Sequence, residues 1–144
     1  MVALLVLAFL GISFFLARWL TADNRERSVV TDLLAQQVEG DARGMLALMP
    51  DCASSAGCRA EASALARRFG GSGEVNIVRY DSSTAQALGS EEGPTRVAWQ
   101  AGDPTSRIWV QCVQVRRSGV AFLGGRVEIE RIGVPIDGEA SCPR

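Results

Sequence analysis

Residues Val2 to Ala17 form a nearly unbroken apolar run, and charge begins only at Arg18. A helix rising about 1.5 Å per residue and reaching Leu20 just crosses a hydrocarbon layer of ~30 Å. Residues 1–20 therefore read as a transmembrane signal-anchor helix. Arg18 and Trp19 stand at its membrane interface, a snorkelling cation beside an interfacial ring. A cleaved signal peptide is the competing reading, but the run is long for one and Leu20, Thr21 and Ala22 match a small-x-small cleavage site poorly. The polar stretch "TADNRERS" then supplies a juxtamembrane linker over 21–27, leaving 28–144 as the domain.

Beyond the linker, Val30, Leu33, Leu34 and Val38 recur at helical spacing, with Ser28 as N-cap and Gly40 as the stop. Asp41 caps a second helix carrying Met45, Leu46 and Met49, which Pro50 ends. A third helical segment runs from Ala60 to Phe69 and stops at "GGSG". Thereafter β-branched residues and closely spaced turn signals predict strands at 74–80, 84–88, 95–101, 107–117 and 126–134. Short connections make neighbouring strands antiparallel. "RIWVQCVQV" is apolar on both parities, so that strand belongs in the middle with both faces covered. Three helices followed by a meander of four to five strands define an α+β domain, its helices packed on one face of a curved antiparallel sheet.

Composition narrows the chemistry. The 15 basic residues against 16 acidic ones leave no excess charge with which to hold nucleic acid. All 15 are Arg, which excludes Schiff-base lysine chemistry, and the absence of His removes the usual general base and metal ligand. The arginines follow the apolar run and none precedes it, so the positive-inside rule alone would keep the domain in the cytoplasm. A basic extension ahead of Met1 would reverse that preference, and the cysteines argue for the opposite side.

Four cysteines, Cys52, Cys58, Cys112 and Cys142, include no C-x₂-C pair, so neither a zinc knuckle nor a thioredoxin-type motif is written here. Disulfides in an oxidising compartment remain, with free buried thiols as the alternative. Of the three possible pairings we favour Cys52 with Cys58, between two helices, and Cys112 with Cys142, which pins the chain end to the sheet. No metal or cofactor is expected.

The broken helix "VVTDLLAQQVEGDARGMLALM", with its Gly40–Asp41 step, and the meander ending in "RVEIERIGVPI" resemble the nuclear transport factor 2-like superfamily of α+β cones. A single-pass helix ahead of such a cone resembles Mce-associated membrane proteins and extracytoplasmic components of type IV secretion. That resemblance implies assembly with a protein partner or a second copy, without catalysis, on the extracytoplasmic side of the cell membrane. The alternative it implies is an isomerase-like enzyme or binder of a small apolar ligand, its cone pocket lined by Tyr80, Trp99 and Trp109. Enzymatic members pair Asp with His; with His absent, no catalytic residue is carried over. Tyr80, Asp81 and Asp103 are the remaining acid/base candidates, though a turn Asp ordinarily caps. Trp99 and Trp109 are first of all core residues, and Arg116 and Arg117 a solvated strand end.

Overall fold

The structure, a computed structural model, describes residues 2–84, 91–119, 125–136, 138 and 140–143, with backbone alone at 2–4, 15 and 18–23. Its first element, α1, runs without interruption from Val2 to Glu39. The expected anchor, linker and first domain helix are thus one helix, and Ser28 lies within it rather than at a cap. The physical reason is that "TADNRERS" holds no Gly or Pro, so the helix continues from both sides through a polar stretch that alone would not hold it. Among the described residues no helix is long and apolar enough to cross a membrane. Among the described side chains of α1, the exposed large apolar ones run from Leu5 to Leu16.

Gly40, at φ +80°, turns the chain out of α1. Asp41 then caps α2 (Ala42–Leu48), its carboxylate accepting from the backbone N–H groups of Arg43 at 2.9 Å and Gly44 at 3.0 Å. Pro50 opens α3 (Pro50–Ser54) and Ser55 caps α4 (Ala56–Phe69). The third helical segment therefore starts before the expected Ala60, and Cys52 and Cys58 sit on consecutive helices rather than in a loop.

Four strands follow, β1 (Val75–Ser82), β2 (Glu91–Ala101), β3 (Trp109–Ser118) and β4 (Arg126–Ile132), paired antiparallel in that order. Of the expected strand over 84–88, all but Thr84 lies outside the described residues. β2 begins earlier than the turn residues "SEEGP" suggest, because Glu91 and Glu92 face Arg117 and Arg116 across the β2–β3 pair. Opposite charges in register favour pairing.

One face of the sheet carries the core. Val97 and Trp99 of β2, Val113 and Val115 of β3, and Ile129 and Ile132 of β4 pack on Val30, Leu33, Leu34 and Val38 of α1 together with Met45, Met49, Leu65 and Phe69. The other face of β3 is covered by the chain end: Ile136 bridges to Val110, Cys142 is joined to Cys112, and Arg96 donates to the carbonyls of Gly138 and Ala140. β3 is accordingly central, one face buried and the other partly covered, in keeping with apolar residues on both parities.

Candidate functional site

Helix α1 is keyed to the sheet by two buried polar groups on its inward face. At about 100° per residue, "RER" cannot point all its charges one way. Arg25 and Arg27 are exposed, while Glu26 is fully buried on the same stripe as Val30, Leu33 and Leu34. Its carboxylate accepts from Tyr80 Oη of β1 at 2.8 Å, Thr95 Oγ1 of β2 at 2.7 Å, Thr84 Oγ1 at 2.9 Å and Arg117 Nε of β3 at 2.7 Å. Nη2 of Arg117 also pairs with Glu26 Oε2.

Taking a carboxylate out of water costs several kcal/mol unless donors replace the lost hydration. Burial pushes the Glu26 carboxyl up, but the hydrogen bonds from Thr95, Tyr80, Ser82 and Arg117 outweigh it and hold the group below the usual carboxylate range. At neutral pH it is ionised and enclosed by donors. A group so placed binds an internal cation and fixes geometry.

Gln37 stands eleven positions further along α1, three helical turns, and so on nearly the same face. Its side-chain amide pairs reciprocally with that of Gln111, at 3.2 and 3.3 Å, and Gln111 also accepts from Trp99 Nε1 at 2.7 Å and donates to the Gly133 carbonyl at 3.0 Å. Polar keys at both ends of the apolar stripe set the rotation and height of α1 on the sheet, because a shift of either would strand buried polar atoms.

The residues singled out from the sequence separate. Trp99 is fully buried in the core, directly opposite half-buried Trp109 across β2 and β3. Both meet Phe69 edge-on, at 5.1 and 5.3 Å, and the guanidiniums of Arg68 and Arg107 lie over the Trp109 ring at 5.1 and 4.3 Å. Tyr80 instead joins the Glu26 cluster. Asp81 is in strand β1 rather than a turn and pairs with Arg79 at 2.8 Å and Arg96 at 3.7 Å. Asp103 is a turn residue, accepting from the N–H and Oγ1 of Thr105 at 2.7 Å each, which keep its carboxyl below the usual range. The side chains of Arg18 and Trp19 lie outside the described residues.

Arg116 and Arg117 are not simply a solvated strand end. Arg116 is a partly exposed hub, bonding Glu92 at 2.7 Å, Asp51 at 3.0 Å and Glu130; the Glu92 bond leads in pushing its guanidinium pKa up. Arg117 is buried because strand parity puts it on the face of Val113 and Val115. Both cysteine pairs are those favoured from the sequence, with Cα–Cα distances of 5.2 Å for Cys52–Cys58 and 5.6 Å for Cys112–Cys142. Among the described residues no group of three or more Cys, Asp and Glu is placed to hold a metal ion.

Missed from the sequence were Glu26, Gln37, Thr95 and Gln111. The signal was present, since Glu26 and Gln37 share the helical period of the core stripe, and a polar residue on an apolar stripe demands a buried partner. The fold and site define a class in physical terms: an α+β domain with two disulfides whose first helix is locked to the sheet by a buried carboxylate–guanidinium cluster. No family model matches the chain, and no match is found among curated proteins or solved structures.

Proposed function

We propose that this chain is a non-enzymatic, membrane-attached module on the extracytoplasmic side, whose cone-like α+β domain assembles with a protein partner or a second copy. The observation that carries the reading is the division of α1. Its start exposes Leu5, Leu7, Phe9, Leu10, Ile12, Phe14 and Leu16, each more than half exposed, whereas from Glu26 onward the same helix is built into the core. A helix apolar on all sides is stable in lipid and costly in water. Insertion of that segment in a bilayer answers the cost, and the rigid continuation of the helix would carry the domain at a defined height above the surface. The two disulfides support an oxidising compartment.

Catalysis would need an inward titratable group open to a ligand; Glu26, the carboxylate that does point inward, is held ionised by its own donors. The test is a reporter active only after export, fused behind residue 144 of the full chain, together with thiol alkylation of native material. Export-dependent activity with no alkylatable thiol is expected; a reporter active only in the cytosol, or four reactive thiols, would overturn the reading.

A further inference from the structure

We infer that the recess between α1 and the start of β4 is a binding site for the headgroup of an anionic phospholipid, an inference that rests on the membrane attachment proposed above. The recess is an open cavity of about 330 Å³ lined by Arg25, Ser28 and Val29 of α1 and by Gly125, Arg126 and Val127. It offers two guanidiniums and a hydroxyl, with the apolar Val29 and Val127 beside them, which is the chemistry that takes a phosphodiester joined to an apolar tail.

Its sign is positive only because of the fold. Glu26, which neutralises "RER" on paper, is turned inward and bound by Arg117, Tyr80, Thr84 and Thr95, so it contributes nothing to this surface. Arg126 has a side chain 79% exposed and pairs loosely with Glu128 at 3.7 Å. Arg27, on the flank facing β1, lies over the Tyr80 ring at 5.9 Å. Asp32 is exposed one helical turn beyond Ser28, on the side of the recess away from the apolar segment.

Height agrees with charge. The membrane segment expected from the sequence, 1–20, ends at Leu20, and Arg25 is five residues further along the same helix, about 7.5 Å. That is the outer limit of the headgroup layer, ~5–7.5 Å deep on each side, because a bilayer of ~30 Å hydrocarbon measures ~40–45 Å with its polar regions. If the start of α1 is in lipid, Arg25 stands at phosphate level, and β4 brings Arg126 to the same recess.

The experiment places the full chain in nanodiscs of phosphatidylcholine containing a minor share of phosphatidylglycerol, releases it gently, and counts retained lipids by native mass spectrometry. Each arginine near an anionic surface favours it by about fivefold. Selective retention of phosphatidylglycerol is expected, falling about fivefold in Arg25→Gln and again in the Arg25→Gln/Arg126→Gln pair, and unchanged in Arg67→Gln, an exposed arginine at the far end of α4. Equal retention of the two lipids, retention unaffected by the double substitution, or displacement of the lipid by excess inorganic phosphate alone would each overturn the inference. Failure of the underlying reading looks different: the chain would not enter nanodiscs of either composition.

Discussion

Glu26 is one of 16 acidic residues and sits between two arginines in a stretch that looks thoroughly solvated, yet it is the group on which the orientation of α1 depends. Replacing it by Gln keeps the shape and removes the charge, leaving Arg117 buried without its carboxylate. Breaking a buried pair from one side costs about 3–5 kcal/mol, so Glu26→Gln should lower the urea midpoint by that equivalent. Thr95→Val, which takes away the 2.7 Å donor while keeping the volume, should cost about 1–3 kcal/mol. The pH dependence has a definite sign. The carboxyl is below its ordinary value of 4.5 only when folded, so its stabilisation is complete above that value and is lost as pH falls through the folded-state value. Thermal melts of the native chain and of Glu26→Gln should therefore converge as pH is taken below about 4; a constant gap down to pH 3 would show that the carboxylate charge contributes nothing. Residue by residue, Trp99 and Trp109 as core were legible from their size and strand position. Arg117 was not, because its burial depends on a partner 91 positions away.

At the scale of elements, local rules predicted most of what formed. Gly40 and Asp41 ended one helix and capped the next, and the two-sided apolarity of "RIWVQCVQV" put β3 in the middle; Pro50, expected only to stop the second helix, also opens α3. The elements misjudged were those whose state depends on what lies beside them. "TADNRERS" is helix because helix enters it from both ends, and residues 91–94 of "SEEGP" are strand because Arg117 and Arg116 face Glu91 and Glu92 across β2 and β3. The disulfides act at this scale too. Cys112–Cys142 closes a separation of 30 residues and Cys52–Cys58 one of 6, so loop entropy makes the former roughly 1.4 kcal/mol more stabilising. Cys112→Ala/Cys142→Ala should thus lower the urea midpoint more than Cys52→Ala/Cys58→Ala. It should also speed amide exchange at Ile136, whose N–H donates to the Val110 carbonyl at 2.8 Å, since the pinned tail is then free to lift.

The whole molecule is a domain with a long apolar lever. Its described core begins at Glu26 and Val30, and none of the described side chains before Glu26 is buried. Deleting residues 1–20 should accordingly leave a folded domain with both disulfides, moving from the membrane pellet to the supernatant in alkaline carbonate extraction. A truncated chain that stays in the pellet would place the attachment elsewhere. The proposed attachment belongs to this scale because it rests on how the parts are arranged: the apolar segment is continuous with the helix that docks, and the docking face is what turns Glu26 away from solvent.

What the amino-acid order determined by itself is everything governed by nearest neighbours and period: helices before strands, the caps and stops, the antiparallel meander, the core stripe of α1, and a plausible cysteine pairing. These are short-range choices, made by backbone sterics and by the side of an element on which apolar groups fall. Only the tertiary structure decided that a carboxylate from α1 and a guanidinium from β3 are the same buried pair, and that "RER" shows solvent a positive face. Such outcomes require two distant stretches to exclude water together, and a charge has no fixed meaning until the neighbour that desolvates it is known.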